Sequence, residues 1–173
     1  MTAETKESAV TIRPIEAADI AAVRALLVTE QECGNAYVHG ALDRLDASAQ
    51  SQTAECLGVC ALAGDQIVGS ALFGRVDGTR GTARLFGVVV LEDLRRRGIG
   101  HALLGGVVQA LTQVHAGRLL ADVADDLPVM QSCWSFLGAN MFAEEGRIPD
   151  YFRDGVALVY LRRDLDTTPQ PTR

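Results

Sequence analysis

Residues Leu91–Leu104 read LEDLRRRGIGHALL. Three consecutive arginines, Arg95, Arg96 and Arg97, stand against Gly98-Ile99-Gly100 in a chain whose formal net charge is -6, so this cationic stretch is local and asks for an anion. From Ile99 onward, IGHALLGGVVQALTQV places Ile99, Leu103, Val107, Ala110, Leu111 and Val114 at three- and four-residue intervals, the spacing of an amphipathic helix. The start of a helix presents unpaired N–H groups and the positive end of its dipole, a ready anion site. Gly98 and Gly100 would let a phosphate approach the main chain with no Cβ in the way. The stretch therefore predicts a pyrophosphate loop, with the arginines adding charge at its rim.

Two other phosphate patterns fit these residues poorly. A P-loop puts Gly-Lys-Ser or Gly-Lys-Thr at the helix start, where this chain has GIGHAL. The dinucleotide fingerprint wants a third glycine where Leu103 stands, and its turn leaves the strand almost at once. Here seven residues, LEDLRRR, separate Val90 from Gly98.

Outward from the loop, the apolar pattern predicts the remaining elements. VTIRPI alternates as a strand, and EAADIAAVRALL carries Ile20, Val23 and Leu27 at helical spacing. Leu42 and Leu45 suggest a short second helix. CLGVCALA, QIVGSALFGRV and ARLFGVVVL are apolar runs separated by Gly64-Asp65 and Asp77-Gly78, residues that accept the backbone angles of tight turns, so they read as an antiparallel meander. After the helix at Ile99, with Gly117 as its stop, come a strand RLLADVA and a helix LPVMQSCWSFL with Asp126 as its cap. Two strands, MFAEEGRI and VALVYLRR, flank a turn PDYFRDG. The order β, α, α, β, β, β, α, β, α, β, β makes an α/β fold with a mixed sheet.

The 173 residues suit one domain, and 48% hydrophobic with 22% charged residues is the composition of a folded globular chain. The overall acidity argues against a general nucleic-acid binder. Cys33, Cys56, Cys60 and Cys133 have neither CxxC spacing nor histidines at zinc-finger intervals, so they read as free thiols in a reducing, cytoplasmic compartment, with no metal site. Neither an N-terminal signal pattern nor a membrane-length apolar run is present, and no membrane partner is expected.

As Arg95-x-x-Gly98-x-Gly100, the loop resembles the Arg/Gln-x-x-Gly-x-Gly/Ala fingerprint of the GNAT superfamily of acyl-CoA N-acyltransferases, and TIRPIEAADIAAVRALL is similar to that family's opening strand and helix. The resemblance implies a GNAT-like domain over residues 9–165 between flexible tails at 1–8 and 166–173. Its sheet would be mixed, mostly antiparallel and splayed, with helices on both faces. It also implies acetyl-CoA as acyl donor, no metal, and direct attack of a primary amine of a small molecule on the thioester; dimers are common in similar proteins. Val88 and Val90 would offer main-chain groups to the pantetheine arm, with the Val88 N–H also stabilising the oxyanion. Main-chain N–H groups from Arg96 through Arg97, Gly98, Ile99 and Gly100 to His101 would hold the pyrophosphate.

Two positions depart from the family pattern. Where many relatives place an acid tyrosine, four residues before Gly138, this chain has Trp134, whose indole donates a hydrogen bond but does not titrate, and which is expected beside the pantetheine or in the core. Where some protein-acetylating relatives have a glutamate base, fourteen residues before Gly98, it has Arg84, which could bind a substrate carboxylate. Tyr151, on the expected last turn, could replace the missing acid, with Tyr37 a weaker candidate; Glu30, Glu32 and Asp122 are candidates for the acceptor side. Cys133 is expected to be a buried, inert thiol. Two alternatives to small-molecule acetylation stay open: acetylation of protein or peptide N-termini, and a non-catalytic acyl-CoA-binding sensor.

Overall fold

The structure is a computed structural model that describes residues 10–29, 43, 45–46, 56–126 and 130–165. Seven strands, β1 (Val10–Pro14), β2 (Cys56–Ala63), β3 (Gln66–Arg75), β4 (Thr82–Val90), β5 (Arg118–Ala124), β6 (Ala143–Arg153) and β7 (Val156–Asp164), form one sheet in the order β1-β2-β3-β4-β5-β7-β6. Every neighbouring pair is antiparallel except β4 with β5. Helix α1 (Ile20–Thr29) covers one face, and α2 (Ile99–Gln113) and α3 (Gln131–Ala139) cover the other. Of the expected second helix, Leu45 is helical and buried against Val23 and Leu72, while Leu42 lies outside the described residues. The expected tails at 1–8 and 166–173 lie outside them too.

The sequence pattern accounts for both faces. Ile99, Leu103, Leu104, Val107 and Leu111 form the buried stripe of α2 and pack on Val59, Ala71, Phe73 and Leu119 from the sheet. Full burial of such side chains stabilises by about 1.5–3 kcal/mol each. On the other face Val23 and Leu27 of α1 meet Leu72, Phe86 and Val89.

Two irregularities in β4 make the fold more than a regular sheet. Leu72 pairs with Gly87 and Phe73 with Leu85, so Phe86 is an extra residue, a β-bulge. One inserted residue reverses which side chains face which layer. Ala83 and Leu85 pack on the α2 side before the bulge, and Val88 and Val90 do so after it. In addition, β4 and β5 pair over three rungs, Thr82↔Arg118, Ala83↔Leu119 and Arg84↔Leu120, and then diverge. A gap opens beyond them, with β4 on one side and β5, held by β7, on the other.

Four expectations are corrected in detail. Strand β6 does not end at Ile148 but runs to Arg153, and its pairing with β7 lapses between Ile148↔Leu158 and Arg153↔Val156. Pro149 lacks an N–H for the ladder and Asp150 has φ of +51°, so the chain bows outward there while Asp150 Oδ1 accepts the Gly155 N–H at 2.7 Å. Tyr151 thus lies on a strand, not in a turn. Helix α2 stops at Gln113 with His115 in the left-handed region at φ +55°, and Gly117 instead donates its N–H to Gly81 O at 2.7 Å. Asp126 does not cap α3: the position before that helix is Met130, and the Asp126 carboxylate binds Arg153.

Candidate active site

A strand's main-chain groups point alternately to its two edges. Leu91 donates its N–H to Val68 O of β3 at 3.0 Å, so Val90 and Val88 turn theirs the other way, into the gap beside β5. The Val90 carbonyl there accepts from Arg95 Nε at 3.1 Å. The Val88 N–H and C=O and the Val90 N–H front the gap.

Beyond Arg95 the chain makes a tight passage into α2. Arg96 has φ of +60° and Gly98 φ of +81°, both left-handed, which costs an arginine about 1–2 kcal/mol and a glycine nothing comparable. Ala102 is the first residue of α2 to donate to a carbonyl of the turn before it, Gly98 O, at 3.0 Å. Gly98, at the N-cap, has no side chain to cap the helix, so the N–H groups of Ile99, Gly100 and His101 remain available to an anion. Within the chain itself the two glycines meet different demands. A Cβ on Gly98 would touch no described protein atom within 4 Å, so there the positive φ is what the chain asks of glycine. A Cβ on Gly100 would lie 3.2 Å from the Phe136 ring, so the close approach it permits is that of α3.

These parts line a cleft of about 460 Å³, within the range of small-molecule sites. Val88, Val89 and Val90 form its floor, and Leu94, Arg95, Arg96, Gly98, Gly100 and His101 one wall. The opposite wall is one face of α3, carrying Cys133, Phe136 and Asn140 with Ser132 and Ala139. No motif marks that face in the sequence; its signal there is the three- and four-residue spacing of Cys133, Phe136 and Asn140. Cys133 is corrected in particular: it is a partly exposed thiol, outside any disulfide, on the cleft wall, whereas Cys60 is fully buried.

The same architecture occurs in known proteins. A family model described as "Acetyltransferase (GNAT) family" matches residues 21–139. The chain belongs to the GNAT acetyltransferase family. Among solved structures, a GNAT-family protein from Desulfovibrio desulfuricans superposes with a TM-score of 0.83 at 22% identity, covering 91% of this chain and 99% of that one. A protein from Salmonella typhimurium solved with its cofactor acetyl-CoA gives 0.72 at 19% identity, covering 95% and 99%. The ribosomal-protein-alanine N-acetyltransferase from Brucella melitensis gives 0.70 at 20% identity, covering 90% and 99%. At these identities the likeness is one of fold. Among curated proteins, none matches the sequence.

In this GNAT chain the expected donor residues Val88, Val90, Arg95, Arg96, Gly98, Gly100 and His101 converge on the cleft. Arg97 is exposed and off it, and Ile99 buries its side chain in the core, leaving its main chain for the role expected of it. Trp134 is also off the cleft lining; it packs on the core and donates from Nε1 to Ala124 O at 3.2 Å, at the end of β5. Tyr151 is 52% exposed, packs edge-on against Phe152 and is not among the residues that line the cleft. Arg84 is not poised for a substrate carboxylate: its Nε and Nη2 both bind Asp122 Oδ1, at 2.7 and 2.6 Å. Glu30, Glu32 and Tyr37 lie outside the described residues. Among the described residues no three His, Cys, Asp or Glu side chains converge as for a metal ion, and no helix is long and apolar enough to cross a membrane.

Proposed function

We propose that the protein transfers the acetyl group of acetyl-CoA to a primary amine of a small molecule, by direct attack on the thioester, in the cytoplasm. The observation that carries this reading is the joining of an anion-binding helix start to an unpaired strand edge along one cleft: N–H groups of Ile99, Gly100 and His101 at one end, Val88 and Val90 at the other. A diphosphate suits the first and an amide-bearing arm the second. The helix dipole and the guanidinium of Arg96 add favourable charge.

In the reaction, a neutral amine attacks the carbonyl carbon, and the Val88 N–H donates to the oxygen as it becomes negative. Such preorganised donation is commonly the largest single contribution to catalysis. Tyr151 is not among the residues that line the cleft, and in this reading the leaving thiolate takes its proton from water. A second reading, acetylation of a peptide N-terminus, is favoured by the fold shared with a ribosomal-protein-alanine N-acetyltransferase.

Incubation with acetyl-CoA and two acceptor sets, small primary amines and short peptides, tests the reading when acetylated products are counted by mass spectrometry. Products from the amines support it. Products from the peptides alone replace it with the second reading, and tight acetyl-CoA binding with no product in either set makes the protein a sensor.

A further inference from the structure

The pairing that ends β5 decides which way its last residue faces. Asp125 donates its N–H to Ala157 O of β7 at 3.1 Å, so alternation turns the N–H and C=O of Ala124 to the opposite edge, into the gap beside β4. Val88 and Ala124 each stand four residues past the last shared rung, Arg84↔Leu120. They are therefore level across the gap, to within the one residue that the Phe86 bulge absorbs. The Ala124 carbonyl is taken by Trp134 of α3, whose Nε1 donates to it at 3.2 Å. The indole thus stands on the gap side of β5, across from the main chain of Val88.

This placement is held from several directions. Asp125 Oδ1 accepts the Ala157 N–H at 2.7 Å, and its Oδ2 accepts from Arg147 Nη1 at 2.8 Å, which fixes the strand end that carries Ala124. Trp134 packs partly buried on the core, next in the chain to Cys133 of the cleft wall. The one polar atom of its side chain is a donor, and it is spent on Ala124 O. At its other end the gap is closed by the rung Arg84↔Leu120 and by the ion pair of Arg84 with Asp122. Beside Val88 there remains a space with β4 on one side, the indole on the other and a closed end.

We infer that Trp134 sets the length of the acyl group that the protein accepts: its indole bounds the space beyond the thioester, so that an acetyl group fits and a longer chain does not. This rests on the proposed seating of the thioester oxygen at the Val88 N–H. A butyryl chain, two carbons longer, has to displace the indole from Ala124 O or draw the thioester away from Val88, and either weakens binding. Where an apolar pocket selects by fit, one methylene is worth roughly tenfold or more.

Calorimetric titration of the wild type and Trp134→Ala with acetyl-CoA and with butyryl-CoA tests this, and it reads binding whether or not an amine turns over. Butyryl-CoA is expected to bind the wild type at least about tenfold more weakly than acetyl-CoA, and to bind Trp134→Ala within about threefold of it. A wild type that binds the two alike, or a Trp134→Ala variant that keeps the wild-type ratio, overturns the inference. A tryptophan that only packs in the core would lower the melting temperature when replaced and leave that ratio unmoved. If Trp134→Ala misfolds, Trp134→Phe serves in its place, keeping a ring and losing the N–H: a ratio at least about threefold smaller than the wild type's supports the role, and an unchanged ratio contradicts it. Binding of neither thioester overturns the inference and the proposed function together. Binding with the expected ratio but no turnover on any amine is the failure of the proposed function alone.

Discussion

Arg95 donates its Nε to the carbonyl of Val90 at 3.1 Å, tying the anion-binding loop to the last residue of β4. The residue that marks the loop in sequence is therefore a brace within it as well as a charge beside it. A lysine keeps the charge but cannot reproduce the guanidinium's fixed fork of donors. Arg95→Lys should weaken acetyl-CoA binding about threefold to tenfold, as loss of one hydrogen bond does, measured by calorimetric titration. Wild-type affinity in that variant would show that charge alone is what the position supplies.

Gly98 and Gly100 should respond differently to substitution. At Gly98 the demand is a positive φ, which asparagine tolerates better than alanine and β-branched residues tolerate least. Gly98→Asn should retain more stability and acetyl-CoA binding than Gly98→Ala, and Gly98→Val least, with Gly98→Ala costing about 1–2 kcal/mol. At Gly100 the demand is space beside Phe136, so Phe136→Leu should restore part of what Gly100→Ala loses. Thermal melts of the single and double variants measure both orders.

Cys133 and Cys60 make a second contrast. Cys133 lines the cleft, while Cys60 is fully buried and its thiol is pushed up by that burial. Iodoacetamide should label Cys133 in the folded protein and leave Cys60 intact, and saturating acetyl-CoA should slow labelling of Cys133 at least severalfold. Peptide mapping reads each site separately. Unchanged labelling with acetyl-CoA would place the donor elsewhere.

Asp19 sets part of the acid limit of stability. The Arg13 guanidinium binds its carboxylate, at 2.6 and 2.9 Å, and holds it below the usual carboxylate range. The Glu16 N–H donates to the same carboxylate at 2.8 Å. A carboxyl group with a lowered folded value stabilises the fold at pH above its unfolded value, near 4, and that contribution is lost as pH falls through the folded value. Asp19→Asn should therefore lower the melting temperature by a few degrees at pH 7, with the gap to wild type narrowing in acid, as pH falls below the usual carboxylate value near 4. A gap that is the same at both pH values contradicts the pairing.

What could be read from the sequence follows the physics of each element. Helical spacing, alternation and apolar runs bounded by turn residues mark the strands and helices of the described sheet and its cover, and Gly64-Asp65 announces its hairpin because the turn needs φ of +62° at Gly64. In the sequence Pro149-Asp150 reads as a turn that ends β6 at Ile148, yet the strand resumes beyond the bow to pair Arg153 with Val156. The donor loop was legible because its contacts are main-chain and its glycines local. The Phe86 bulge, the β4–β5 gap and the pairing of Arg84 with Asp122 depend on register between distant strands, which no local pattern states. The family pattern points Trp134 toward the donor, whereas its indole N–H donates to Ala124 O at the end of β5.

The central claim is that acetyl-CoA seated against Gly98 and β4 gives its acetyl group to an amine. Steady-state release of the CoA thiol, followed with wild type and Gly98→Val across a panel of primary amines, tests it most directly. The account predicts amine-dependent release by the wild type and at least a tenfold lower kcat/KM for acetyl-CoA in Gly98→Val, a change of about 1.4 kcal/mol. Amine-dependent release that Gly98→Val leaves unchanged, or no amine-dependent release by the wild type, would contradict it.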